Sequence, residues 1–395
     1  MKKSMKKFFG YLHLWLGLIS GLVVFIVAIT GCIYAFQAEI QEFTQPYRRV
    51  EVQEKPLLPP SKLATIADEA LPNKHLHAVM YETADRAARA IYYSFEEHYY
   101  YFVYINPYTG EVLKVKDEFA DFFRWILDGH FYLWLPVEIG QPVVASFTLV
   151  FVFMLISGIV LWWPKKSKGV KKKFTLQWSG GWRRKNYDLH SVVGFYICWL
   201  GLVFALTGLV WGFEWYRDGM YSLLSGGKAF EAYSHPVSDS TQWQKADIPA
   251  IDKVWHKMRA EYPTAAWIEV HPPEFAHASI AANANPDAST YWQIDYRYFD
   301  QYTLEELSVS HQWGRLAEAS ATDKLFRMNY DIHVGAIAGL PGKVLAFLAS
   351  LTIASLPVTG TLLWWGRRNK KNKKVPKKQK SIGKQKAPAQ ELVEV

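Results

Sequence analysis

Cysteine is nearly absent from this chain: Cys32 and Cys198 are the only two in 395 residues, and both fall inside apolar runs. Neither a disulfide framework nor a cysteine-based zinc cluster can be built from them. The apolar runs have no acidic residues in their interiors, Asp188 and Glu214 standing only at the ends of one, which removes the usual coupling groups of an ion-driven transporter. No GxGxxG stretch and no flavin-type domain is evident, so electrons or hydrides would have to come from a separate molecule. The N-terminus has the charged start of a signal peptide, but its apolar run far exceeds a signal's ~7–15 residues and no small-residue cleavage site follows. It reads as a retained anchor.

What is present is long apolar sequence with a repeat in it. Phe9 to Ile33, FGYLHLWLGLISGLVVFIVAITGCI, can cross a ~30 Å hydrocarbon core as a helix rising ~1.5 Å per residue. Residues Tyr187 to Trp215 repeat it at a constant offset of 177, matching His190 to His13, Gly194 to Gly17, Thr207 to Thr30 and Gly208 to Gly31. From each histidine to the later glycine is 18 residues, or five turns, so His13 and Gly31 share a face, as do His190 and Gly208. A second pair of runs, Pro142 to Trp163 and Leu340 to Trp365, each ends in LeuTrpTrp and is preceded by His130 or His333.

These repeats predict an α-helical membrane protein with four transmembrane helices from a tandem duplication and two small α+β domains on one side. The expected divisions are helix 1 at 8–37, a first small domain at 38–120, an interfacial segment and helix 2 at 121–164, and a basic loop at 165–186. Helix 3 follows at 187–216, a second small domain at 217–325, an interfacial segment and helix 4 at 326–366, and a basic disordered tail at 367–395. In the first small domain Ser61 is expected to cap a short helix through Leu71, with aromatic-rich strands after it.

Of the 45 basic residues, 24 lie before the first span, between Lys165 and Lys185, and between Arg367 and Lys386, leaving the rest of the chain net acidic. By the positive-inside rule those three segments are cytoplasmic and both small domains lie outside. The basic tail is read as a topology signal and not as a nucleic-acid site.

His13 and His190 then sit at one depth, His130 and His333 at another. Two imidazoles from different helices, flanked by glycines such as Gly17, Gly31, Gly194 and Gly208, fit bis-histidine ligation of haem iron. The alternative is that the glycines serve helix packing and the histidines snorkel to the interface. Zinc fits less well, since neither pair has carboxylates or thiolates to complete a tetrahedron. Asp128, Asp188 and Asp331, each two residues before a histidine, are expected to cap helices and not to orient the imidazoles.

The motifs LHLWLGL with its later ThrGly, VYINPYTGEVL, DIHVGAIAGLPGK and the two LeuTrpTrp ends resemble the PepSY-associated transmembrane family over nearly the whole chain. That resemblance implies a bacterial inner-membrane protein with periplasmic PepSY-like domains. In members similar to ferric-siderophore reductases it implies two b-type haems, one on His13 and His190 and one on His130 and His333. The expected partners are the lipid bilayer, a cytoplasmic electron donor or quinol, and an extracytoplasmic ferric chelate. The competing expectation is a non-enzymatic membrane protein whose PepSY domains bind peptides or regulate a peptidase.

Overall fold

A computed structural model describes residues 3–164, 170–242 and 248–371. Most of the expected basic tail, and part of the basic loop, lie outside the described residues. In chain order, α1 (Lys3–Tyr34) is followed by α2 (Gln37–Thr44), α3 (Pro60–Ala70) and four strands: β1 (Leu76–Tyr81), β2 (Ala88–Ser94), β3 (Tyr99–Ile105) and β4 (Val112–Asp117). Next come α4 (Phe122–Tyr132) and α5 (Val137–Trp162). The second half runs through α6 (Trp182–Asp188), a π-helical turn over Leu189–Val193, α7 (Gly194–Gly212), α8 (Glu214–Ser225) and α9 (Ala250–Glu261). It continues with β5 (Trp267–His271), β6 (Ile280–Asn285), β7 (Asp295–Phe299), β8 (Glu306–Leu307), α10 (Ala321–Arg327), α11 (Asn329–His333) and α12 (Gly339–Lys371).

Four helical stretches are long and apolar enough to cross a membrane: Ser4–Tyr34, Val137–Trp162, Trp182–Gly212 and Ala336–Arg368. Ile19, Leu22, Phe153 and Leu348 on them are exposed, the arrangement lipid requires and water does not tolerate. Inside the bundle α1 packs on α12 and α5, and α5 on α7, around Ala28, Ile353 and Ala354. Small residues permit this close approach where apolar burial gives helices no drive to associate.

The segments that leave the bundle at 35–136 and 213–338 meet in one layer. The two small domains read from the sequence form a single eight-stranded antiparallel sheet, ordered β4-β3-β2-β1-β5-β6-β7-β8. The join is β1 on β5, with Val79 opposite Val270 and Tyr81 opposite Ile268. Each first strand therefore covers the edge the other would leave unpaired. Leu63 of α3 and Trp255 and Met258 of α9 are fully buried in one cluster with Val79, Val270 and Phe299 of the sheet, making one continuous core across the halves.

Ser61 is not the helix cap its sequence suggested. Helix α3 starts at Pro60 with Pro59 at its cap position, and the anion at this end is Asp252 of α9. The aspartates differ too: Asp128 pairs with Arg124, and Asp188 accepts from Arg184 and the Gln177 N–H. Asp331 accepts from the N–H groups of Tyr291 and Trp292, tying α11 to the sheet layer. None caps its own helix, because Asp128 lies inside α4, Asp188 is the last residue of α6 and Asp331 lies inside α11.

Candidate histidine pairs in the helix bundle

The rings of His13 and His190 face each other with centroids 6.3 Å apart and planes at 79°. At the sheet end of the bundle His130 and His333 stand 6.2 Å apart at 74°. Each pair takes one histidine from each half of the chain. His190 lies within the π-helical turn, where one extra residue per turn rotates the side chain relative to a regular helix.

Every one of the four imidazoles makes the same hydrogen bond. Nδ1 lies 2.8 Å from Ser157 Oγ in His13, 3.0 Å from Thr359 Oγ1 in His190, 3.2 Å from Thr30 Oγ1 in His130, and 2.8 Å from Thr207 Oγ1 in His333. A hydroxyl has one proton to donate. Ser157 gives its proton to Met154 O, Thr30 to Ile26 O, Thr207 to Val203 O and Thr359 to Ser355 O. In each contact the hydroxyl oxygen therefore accepts, and Nδ1 carries the hydrogen. His130 Nδ1 also lies 2.9 Å from the carbonyl of Val27, an atom that only accepts. With Nδ1 carrying the hydrogen, the neutral form of each ring has its lone pair on Nε2. That tautomer is the one that ligates a metal through Nε2 while a neighbouring acceptor orients the ring.

With a metal–nitrogen bond of about 2 Å and a ring centroid about 1 Å behind the nitrogen, two trans imidazoles sit about 6 Å apart, centroid to centroid. Both pairs match that span. Among the described residues no group of three or more His, Cys, Asp or Glu side chains is arranged for a metal ion. An ion between either pair would have to bring its other ligands with it, as the iron of a porphyrin does.

The space around the rings suits a broad, flat group. A cavity of about 410 Å³ surrounds His13 and His190, with Gly10, Gly17, Gly21, Gly158, Gly194 and Gly360 in its walls. A second, of about 180 Å³, surrounds His130 and His333 and is walled by Gly31, Gly208 and Gly212. The glycine after each hydroxyl residue touches the ring that hydroxyl orients. A Cβ added at Gly158, Gly360, Gly31 or Gly208 would lie 3.3, 3.1, 3.2 or 3.5 Å from Cε1 of His13, His190, His130 or His333 respectively. Trp162, stacked on Phe195 at 3.7 Å, carries at the wall of the larger cavity a buried indole N–H with no partner among the described residues, and Arg367 stands at the same wall. An anionic edge on the occupant would meet both.

Of the expected site residues, His13, His190, Gly17 and Gly194 line the larger cavity, and His130, His333, Gly31 and Gly208 the smaller. Gly31 and Gly208 thus lie against the histidines of the sheet end and not against those sharing their helix face. Sequence reading missed Ser157 and Thr359. Their signal was a Ser/Thr-Gly dipeptide in each long helix, at Thr30-Gly31, Ser157-Gly158, Thr207-Gly208 and Thr359-Gly360. A search of curated proteins finds no match to the chain. One family model, described as the PepSY-associated TM region, matches residues 11–367, and the chain belongs to that family.

Proposed function

We propose that the protein is a tandem-duplicated, di-haem electron conduit of the bacterial inner membrane, carrying electrons from the cytoplasmic side to a periplasmic ferric chelate. The observation that carries this reading is the fourfold identity of the histidine sites: Nδ1–H held by a hydroxyl, Nε2 free, and a partner ring 6.2 or 6.3 Å away. When bound, b-type haem would supply reversible one-electron iron chemistry, with His13 and His190 holding one group and His130 and His333 the other, an arrangement that suits outer-sphere transfer. The chain's residues orient the rings, keep water from the bundle interior and set the spacing between levels. Phe151 and Val24 belong to the walls of both cavities and fill the gap between the two sites.

The topology in this reading follows the charge. The start of α1, the end of α5, the start of α6 and the last part of α12 share one end of the bundle, and the basic segments of the sequence adjoin these helix ends, so in this reading the sheet layer faces the periplasm. The donor, a cytoplasmic protein or a quinol, meets the His13 and His190 end, and the acceptor meets the His130 and His333 end. Purified protein from haem-replete cells should show a Soret band and two haems per chain by pyridine haemochrome. A preparation without a Soret band would refute the reading.

A further inference from the structure

A third cavity, of about 800 Å³, lies between the helix bundle and the second half of the sheet layer. It shares Gln141, Trp211 and Tyr330 with the cavity around His130 and His333. The Trp211 indole is the partition: it meets the His333 ring edge to face at 5.4 Å and the Phe131 ring at 6.4 Å, and borders the third cavity as well.

Eight aromatic rings line this vestibule, among them Trp211, Phe230, Tyr233, Tyr291, Trp313 and Tyr330. Walls of that kind take flat π-rich groups by stacking or edge contact, each worth about 0.5–1.5 kcal/mol beyond burial. Gln312 lines the cavity with a buried side-chain oxygen that has no hydrogen-bond partner among the described residues. An orphaned acceptor in a wall calls for a donor on whatever fills the space.

Charge selects further. Arg327 is 8 % exposed and donates to four carbonyl contacts on Ile294, Gln312 and Gly314, but no carboxylate among the described residues pairs with it. Arg217 lies over the Phe230 ring at 4.4 Å and pairs with Asp218. Of the charged residues that line the vestibule two are arginines, Arg217 and Arg327, and one is a carboxylate, the exposed Glu214; Asp295 and Asp323 act on Arg327 from outside the lining.

From these groups we infer that the vestibule is a binding site for an anionic aryl-oxygen chelate of a trivalent metal, of the catecholate type, whose amide N–H is accepted by Gln312. Its aryl rings lie among the vestibule aromatics, its negative charge answers Arg327, and the bound chelate rests against Trp211. This deepens the proposed function by naming the substrate class, and it rests on that reading for the chelated metal and for its link to electron transfer.

The test uses the full-length protein in lipid nanodiscs and a gallium(III) tris-catecholate amide, which has the charge and shape of the iron complex but cannot be reduced. Equilibrium dialysis should give saturable binding at least tenfold tighter than that of a gallium(III) trihydroxamate. Gln312→Leu and Phe230→Leu should each weaken the catecholate complex by about tenfold, with the Soret spectrum unchanged. No binding, equal affinity for the trihydroxamate, or wild-type affinity in both variants would overturn the assignment. Gallium chelate binding without reduction of the iron chelate would leave the site standing and count against the electron-transfer reading alone.

Discussion

Ser61 donates its backbone N–H to Asp252 Oδ1 at 2.9 Å and its hydroxyl to Asp252 Oδ2 at 2.6 Å, joining α3 of the first half to α9 of the second. The carboxylate is 4 % exposed and sits where the first turn of α3 has unpaired donors, so it serves as a cap delivered from 191 residues away. Asp252→Ala should destabilise the sheet layer by about 1–2 kcal/mol, the usual cost of losing a cap. Because β1 and β5 share one ladder, limited proteolysis should then release segments 46–117 and 250–307 together. Selective loss of one half would show that the two meanders unfold independently.

The hydroxyls beside the imidazoles give a second expectation. Ser157→Ala and Thr359→Val each remove the acceptor of one Nδ1–H in the His13 and His190 pair while leaving both Nε2 atoms in place. Loss of such an orienting partner costs about 10- to 100-fold in metal-site affinity. Haem titration of each variant should show one site weakened to that extent and the other unchanged. Equal weakening of both sites would place the defect in the bundle as a whole.

Glycine replacements separate ring packing from general helix effects. Gly360→Ala would bring a methyl to 3.1 Å from His190 Cε1, whereas Gly219→Ala on α8 meets nothing within 4 Å. The first should displace His190 and lower haem content, and the second should raise stability by about 0.5–1 kcal/mol through helix propensity. Haem-to-protein ratios for the two variants check this directly. A full haem complement in Gly360→Ala would mean that the π-helical turn absorbs the shift.

In the sheet layer Glu306 accepts from Arg297 at 2.5 Å and Arg315 at 2.6 Å, and the Arg297 side chain is 2 % exposed. Burial opposes ionisation of Glu306, but the bonds from Arg315 and Arg297 outweigh it and hold the carboxyl down at about 2. A folded value below the ordinary ~4.3 means that this group's contribution is complete above that pH and is lost as pH falls toward 2. Glu306→Gln should therefore cost about 1–3 kcal/mol at neutral pH and remove part of the acid dependence of unfolding between about pH 5 and pH 2. Parallel unfolding curves for the two proteins across that window would discard the assignment.

How much of this was legible in the sequence depended on range. The spans and the strands follow from local periodicity, and the two histidine pairs from repeats in the sequence, His190 standing 177 residues after His13 and His333 203 after His130. The Tyr302-Thr303-Leu304 turn shows a limit. Its leucine stands where the first half has Gly110, yet Leu304 takes φ 60° and the turn keeps its form. Asp300 Oδ1 accepts from Tyr302 N and Thr303 N just as Asn106 Oδ1 accepts from Tyr108 N and Thr109 N, and this scaffold offsets the cost of a left-handed leucine. The fusion of the sheets, the Asp252 cap and the hydroxyls of Ser157 and Thr359 were not legible, because each is a contact between residues over a hundred positions apart. The π-helical turn at His190 leaves no compositional mark at all.

The two ring pairs give the sharpest expectation, because ligand identity and ligand-plane angle report separately. Each pair draws one histidine from each half, and planes at 79° and 74° are close to perpendicular. Were haem iron held between rings at such angles, the two iron d orbitals that overlap the ring π systems would lie close in energy, and low-spin ferric iron would give a strongly anisotropic EPR signal. Wild-type protein should show two such signals and no signal typical of parallel imidazoles. His13→Ala and His190→Ala should each erase the same one, and His130→Ala and His333→Ala the other, since either loss leaves a single axial ligand. His333→Ala should also abolish reduction of an external ferric chelate by spheroplasts while the remaining haem stays reducible from the cytoplasmic side. If instead each single variant kept both low-spin signals, the rings would not be paired ligands; if His333→Ala lost its haem yet reduced the chelate at the wild-type rate, the relay through the sheet-end site would be excluded.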